Sequence, residues 1–222
     1  LALFSIKSTS SAGIISASVA TGKAARDIYS IPEMNVVFVD NLPDLKADFS
    51  SVTINNYAAA KELAGVLLDK GHREICVIAG PKNESSSLER LEGFLSAASE
   101  RGITIGDDYI RSGDFCIESG AAIMKSFFEA GISPTAVFAA NNFMAYGATH
   151  VILSAGLRVP EDIEIATFDV IDYTGLVQNK FISVMQPAFD IGRISAQICI
   201  DESDKDTVKN FSRIVMKHKL EL

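Results

Sequence analysis

The feature that most constrains this chain is a beat: short apolar runs rich in Val, Ile and Phe alternate with segments of helical periodicity. The runs are Val36-Val37-Phe38-Val39, Ile75-Cys76-Val77-Ile78-Ala79, Ala136-Val137-Phe138-Ala139 and Ile163-Glu164-Ile165-Ala166. Runs that are apolar on successive residues read as strands buried on both faces, the condition of a parallel sheet covered by helices. Between them, Ala60, Leu63, Ala64, Leu67 and Leu68 recur at helical spacing, as do Leu88, Leu91, Leu95 and Ala98, and each set makes one apolar stripe. Gly71, Gly102, Gly131 and Gly156 each follow a helical stretch, where a left-handed cap is easiest for glycine. They recur at about the length of a βα unit, with drifting spacing and dissimilar sequences that speak against a true internal repeat. The fold class is α/β.

An open doubly wound sheet and a closed eight-stranded barrel share this beat, and the chain has too few strong strand–helix pairs for eight. Open sheets are expected. Beyond Asp169 the pattern changes: residues 181–187 look extended, 188–203 helical, and 212–222 end in an alternating strand that could cross between lobes. At the start, Leu1-Ala2-Leu3-Phe4-Ser5 and Ala12-Gly13-Ile14-Ile15-Ser16 both read as buried strands only six residues apart. A parallel crossover needs at least about ten residues, usually carrying a helix. Either the pair is not parallel or a stretch of the natural chain near residues 5–12 is absent, and the second is the expectation.

Composition narrows the function. At 222 residues and 48% hydrophobic, the chain can bury one large core or two small ones. A net charge of −8 argues against wrapping a polyanion, because phosphates are neutralised by Lys and Arg, so this segment alone is not expected to hold DNA. Cys76, Cys116 and Cys199 are odd in number and lack CxxC spacing, so neither a disulfide framework nor a zinc site is indicated, and a reducing cytoplasm fits best. No apolar run approaches the roughly 18 residues of a membrane span, and no charged-then-apolar leader pattern opens the chain. The expectation is a soluble protein without a membrane partner.

In open α/β sheets, ligands gather at the carboxyl ends of the strands. Those ends hold Asp40, the loop 80–87, Asp114-Phe115, Asn141-Asn142 and Asp169, with Arg90 about one turn into the following helix. Carboxylate, carboxamide, guanidinium and an aromatic ring together suit a polyhydroxylated ligand: hydroxyls give and accept hydrogen bonds, bidentate groups grip vicinal pairs, and a ring packs on the C–H face. Each residue also has a plainer reading. Asn141 and Asp169 can be helix caps, Arg90 can pair with Glu89 or a neighbouring carboxylate, and Phe115 can be core. Convergence on one predicted edge favours the functional reading.

Enzymatic readings find less support. His72, His150 and His218 are isolated, without HExxH spacing, and His72 follows a helix-end glycine as a cap would. GxSxG, GxxxxGK[ST] and GxGxxG are all missing, which removes the warrants for a serine nucleophile and for nucleotide phosphate chemistry. Ser85-Ser86-Ser87 before a helix can accept a phosphate but are ordinary N-caps. No enzyme activity, cofactor or metal is expected.

Thr135-Ala136-Val137-Phe138-Ala139-Ala140-Asn141-Asn142 with Met144-Ala145 and Gly147, followed by Gly156-Leu157-Arg158-Val159-Pro160-Glu161-Asp162-Ile163 and Phe168-Asp169, resembles the effector-binding core of the lactose-repressor/galactose-repressor family. Gly71-His72-Arg73 resembles the family's helix-end signature, Arg90-Leu91-Glu92-Gly93-Phe94 its arginine-containing helix, and residues 36–40 the strand leading out of the first lobe. The match covers nearly the whole chain and is specific in combination.

The resemblance implies two Rossmann-like lobes of the type I periplasmic-binding-protein kind, with parallel sheets, three crossovers, an effector site in the cleft and a homodimer as the working unit. By that pattern the first lobe is residues 1–43 plus 187–203, and the second is 44–186 plus 204–222. It implies a cytoplasmic transcription regulator whose operator DNA is read by an N-terminal helix-turn-helix that nothing in this chain resembles. Position by position, Arg90, Asn141 and Asp169 match residues that hydrogen-bond the effector, Phe115 an aromatic wall, Ser86 a loop contact, Asp40 a first-lobe cleft residue and Gln186 a residue near the crossover. Asn142 and Val170 depart from the family pattern, which commonly has Asp at both, and each departure removes a carboxylate beside the site. The implied effector is a sugar or sugar derivative. The alternatives are a transport-associated sugar-binding protein of the same fold, or a regulator sensing a purine or nucleoside.

Overall fold

The computed structural model describes residues 13–17, 35–44, 48–171, 181–203 and 211–222. In chain order the elements are β1 (Ile14–Ser16), β2 (Val36–Val39), β3 (Ser50–Ile54), α1 (Asn56–Asp69), β4 (Ile75–Ala79), α2 (Ser85–Glu100), a 3-10 turn (Asp107–Tyr109) and β5 (Ile110–Ser112). They continue as α3 (Ile117–Glu129), β6 (Ala136–Ala139), α4 (Asn142–Ser154), β7 (Glu164–Phe168), β8 (Phe181–Met185), α5 (Ala188–Asp201), β9 (Arg213–Met216) and β10 (Lys219–Glu221). They form two compact units, one of residues 1–54, 83–86 and 187–217, the other of residues 55–82, 87–186 and 218–222.

The larger unit is built on a six-stranded sheet of order β10-β8-β7-β6-β4-β5. All pairs are parallel except β10 with β8. Every residue of β4 and β6 is buried, as the continuous apolar runs require of strands covered on both faces. Successive residues divide between the faces: Cys76, Ile78, Val137, Ala139 and Ile165 join Met124 and Phe127 of α3 and Met144 of α4 in one core cluster. Phe138 turns to the other face, where its ring lies 4.8 Å from Phe94 of α2 and 6.4 Å from Phe168. Helices α3 and α4 touch main chain to main chain. A Cβ at Gly120 would lie 2.2 Å from the Met144 carbonyl oxygen, and one at Gly147 2.0 Å from that of Ile117.

The chain runs from β4 to β5 on one side, then returns to lay β6 on the other side of β4 and continues outward through β7 and β8. That reversal makes a topological switch point between β4 and β6, where the loops leaving the carboxyl ends open a crevice suited to ligands. The four glycines expected to close helices all have positive φ, and at the end of α1 the Gly71 and His72 amides donate to the carbonyls of Leu68 and Leu67.

The smaller unit is a four-stranded parallel sheet of order β1-β2-β3-β9 with α5 packed on it. Two expectations are corrected here. Residues 50–54 and 213–216 were expected in the second lobe, but β3 pairs with β2 and β9 with β3, so both group with the smaller unit. The single alternating strand over 212–222 is two strands, β9 in the four-stranded sheet and β10 in the six-stranded one. Period-two alternation reports that a segment is extended and carries no information on which sheet it joins. β1 pairs parallel with β2, while the strand expected at residues 1–5 and the stretch 5–12 lie outside the described residues. Among the described residues no helix is long and apolar enough to cross a membrane.

Candidate functional site

Three non-glycine residues have left-handed backbone among the described residues: Asp40 (φ 59°), Phe115 (φ 67°) and Asp169 (φ 51°). All three carry side chains singled out from the sequence, and each follows the carboxyl end of a strand, respectively β2, β5 and β7. This conformation costs a residue with a Cβ about 1–3 kcal/mol and persists only where the surroundings hold it, a pattern that concentrates at ligand sites.

Asp169 is held at every polar atom. Its N–H donates to the Val184 carbonyl oxygen (2.8 Å), and its own carbonyl oxygen accepts from Asn142 Nδ2 (2.7 Å). Its carboxylate oxygens accept from the Gln186 backbone N–H (2.8 Å) and from Gln186 Nε2 (2.6 Å). Among the described residues it caps no helix. Its carboxylate is locked to the end of β8, and the Gln186 carboxamide oxygen, also buried, accepts nothing from the described residues.

On the facing side of the switch point, Arg90 is 3% exposed. Its Nε donates to Asn56 Oδ1 (2.8 Å), its Nη1 to the Ala140 carbonyl oxygen (2.7 Å), and its guanidinium lies 4.0 Å from the centre of the Phe168 ring. A planar cation stacked on an aromatic face with its fork partly spent on main chain is fixed in direction. Asn141 does cap α4, since its Oδ1 accepts from the Met144 N–H (3.0 Å), and it also ties down the aromatic wall, its Nδ2 donating to the Phe115 carbonyl oxygen (2.9 Å). The Phe115 ring rests against the end of β4, where a Cβ on Gly80 would lie 2.3 Å from its Cε1. Beside it the Asp114 carboxyl is held below its usual range by the Ser119 hydroxyl and the Cys116 amide, and the negative charge of Asp114 pushes the exposed Cys116 thiol upward.

In the smaller unit, Asp40 precedes a buried polar node. Asn41 Oδ1 accepts from both the N–H (3.0 Å) and the hydroxyl (2.7 Å) of Ser86, while Asn41 Nδ2 donates to Glu84 Oε2 (2.5 Å). The donors of Ser86 are thus spent inside the protein. Sequence reasoning missed Asn41, Glu84 and Asn56. The signal was a polar residue directly after an apolar run or in its following loop, which is common enough to pass for a turn.

The structure brings Arg90, Asn141, Phe115, Asp169 and Gln186 to the carboxyl edge of one sheet, and gathers Ser86 with the residue next to Asp40 in the smaller unit. His72 sits at the opposite edge, bonded to Thr135 Oγ1 and Glu164 Oε2 at 2.9 Å each. No cluster of three metal-ligating side chains occurs among the described residues. A groove of about 400 Å³ at the far end of α2, lined by Leu95, Ala98 and Ile105 among others, has no charged lining and lacks the chemistry of the edge.

A parallel α/β unit with charge, carboxamides and an aromatic ring at its switch point belongs to the class of folds in which small-molecule sites occur. The profile of the family described as "Periplasmic binding proteins and sugar binding domain of LacI family" matches residues 2–203, and the chain belongs to that family. It is 34% identical over 168 residues to the HTH-type transcriptional repressor CytR of Escherichia coli (strain K12), covering 76% of this chain and 49% of that protein. Catabolite control protein A of Priestia megaterium is 33% identical over 172 residues, 77% of this chain and 52% of its own length. The chain thus spans about half the length of these relatives. Among solved structures, a complex of the transcriptional regulator CelR with cellobiose superposes over all of this chain and 68% of its own, with a TM-score of 0.86 and 26% identity.

Proposed function

We propose that this chain is the effector-binding core of a transcription regulator, and that it binds a carbohydrate or sugar derivative at the carboxyl edge of the six-stranded sheet without altering it. The observation that carries this reading is Asp169, an acceptor carboxylate locked in a costly conformation at the switch point, with Arg90, Asn141 and Phe115 around the same edge. Gln186 completes the candidate set at this edge, and Asp40 and Ser86 are kept as separate candidates in the smaller unit. A carboxylate accepts from paired hydroxyls, a guanidinium donates to ring and hydroxyl oxygens, and an aromatic face covers the C–H side of a pyranose. The cellobiose carried by CelR supports a carbohydrate here.

Regulation follows from the relatives. Those named HTH-type transcriptional repressors extend well beyond the match, which supports a DNA-reading helix-turn-helix outside this core with operator DNA as its target; its N-terminal position, the homodimer and the cytoplasmic location are carried over from the family resemblance. The effector changes operator affinity through a free-energy difference between lobe arrangements. The family description also covers periplasmic binding proteins, which favours a second reading as a transport-associated sugar-binding protein. The natural gene separates the two: a helix-turn-helix upstream supports the regulator, an export signal the transporter partner.

The test is thermal unfolding against mono- and disaccharides, sugar phosphates, purines and nucleosides, for the wild type and Asp169→Ala. A ligand at a hundred times its Kd adds about 2.7 kcal/mol, on the order of 5–10 °C at this size. A sugar that shifts only the wild type is the expected result. A purine or nucleoside giving the only shift overturns the carbohydrate assignment.

A further inference from the structure

We propose that Asn142 and Tyr146, one turn apart on α4, are positioning residues that hold the Asp169 carboxylate in its ligand-ready direction. The inference rests on the carboxyl-edge site proposed above and names the device that keeps it in shape. Asn142 Nδ2 donates to the Asp169 carbonyl oxygen (2.7 Å), fixing the peptide that follows the left-handed residue. Tyr146 then catches the chain two residues on: its hydroxyl donates to the Ile171 carbonyl oxygen (2.8 Å) and accepts from the Ile171 N–H (2.9 Å). Its ring stacks on Phe181 at 6.1 Å and 29°, and Phe181 opens the strand that leads to Gln186. One helix face therefore grips the main chain behind Asp169, the residue beyond it, and the start of the strand whose end binds its carboxylate.

The Asp169 N–H is committed to β8 and its carboxylate to Gln186, so the peptide after it is the part of the residue that can relax the left-handed strain. Asn142 and Tyr146 close that route. In this chain the bonds use donors: an aspartate at 142, the residue the family pattern commonly has, lacks the N–H that meets the Asp169 carbonyl, and a phenylalanine at 146 would leave both main-chain groups of Ile171 without the hydroxyl.

Hydrogen exchange read by NMR on the unliganded chain tests this with two near-isosteric variants, Asn142→Asp and Tyr146→Phe. The amides of β4 and β6 gauge global opening, and the Gln186 amide reports its bond to the Asp169 carboxylate. The expected result is tenfold or faster exchange at Gln186 in Asn142→Asp, and faster exchange at Ile171 and Gln186 in Tyr146→Phe, with β4 and β6 unchanged. If Gln186 exchange merely tracks β4 and β6, or acceleration stays confined to Ile171, the proposal is overturned. Because no ligand is added, a failure of the carbohydrate assignment is read separately.

Discussion

The two edges of the six-stranded sheet use their polar side chains differently. At the amino edge, side chains bond mainly to side chains: His72 bridges Thr135 and Glu164, Lys70 pairs with the same Glu164, Tyr109 donates to Glu74, and Arg158 holds Asp162 through paired bonds. At the carboxyl edge most bonds join a side chain to main chain, beside the side-chain pairs of Arg90 with Asn56 and Gln186 with Asp169. Arg90 bonds the Ala140 carbonyl, Asn141 that of Phe115, Asn142 that of Asp169, and the Gln186 amide the Asp169 carboxylate. Only the second arrangement maintains left-handed backbone at residues with a Cβ. The amino edge fastens strands and helix ends together, and the carboxyl edge holds polar groups in place against a conformational cost.

Breaking the carboxyl edge at its most buried group gives the largest effect. Arg90→Leu leaves the Asn56 and Ala140 oxygens without their donor and removes the cation over Phe168, so urea denaturation should record a loss of about 2–4 kcal/mol. Asp169→Gly sharpens the contrast, because glycine accepts φ 51° freely: stability by the same assay should stay within about 1 kcal/mol of wild type while carbohydrate binding disappears. At the amino edge, Glu164→Gln weakens the bonds to His72 and Lys70 and should cost about 1 kcal/mol, with carbohydrate affinity unchanged in calorimetry.

Two smaller effects probe the edges chemically. Cys76, buried on β4, has its thiol pushed up to about 12 by burial, whereas Cys116 is exposed beside Phe115. Iodoacetamide should label Cys116 in the native chain and Cys76 only after unfolding, and Asp114→Asn should speed Cys116 labelling by removing the charge that raises its pKa. The Arg158 guanidinium and amide hold the Asp162 carboxyl at about 2, below its ordinary 3.8. A depressed folded-state pKa stabilises above the unfolded value and is lost as pH falls through the folded one. Acid titration of the melting temperature between about pH 4 and pH 2 should therefore flatten slightly in Asp162→Asn.

The parallel core was legible because burial on both faces leaves a mark on every residue of β4 and β6. The glycine caps were legible because left-handed backbone selects glycine there. The carboxyl edge was legible in outline, since a strand pattern meets a helix pattern at Asn141 and an apolar run ends at Asp169 whatever the tertiary contacts. Asn41, Glu84, Asn56 and Tyr146 were not. Their importance lies in bonds to residues such as Ser86 and Ile171, distant in sequence, and a single sequence carries no record of which distant groups meet. The sheet to which β3 and β9 belong escaped for the same reason, since strand pairing is a long-range choice.

On the function proposed above, recognition resides at the carboxyl edge while the amino edge serves the fold. Isothermal titration calorimetry with cellobiose, ribose and the best sugar from the thermal panel tests it most directly, on the wild type, Asp169→Asn and Glu164→Gln. Asparagine tolerates the left-handed backbone and keeps the side-chain volume, so Asp169→Asn removes the charge together with one of the two acceptors to which Gln186 donates. Binding at least tenfold weaker in Asp169→Asn and unchanged in Glu164→Gln is the predicted result. Equal affinity in wild type and Asp169→Asn, or a loss in Glu164→Gln as large as that in Asp169→Asn, would contradict it.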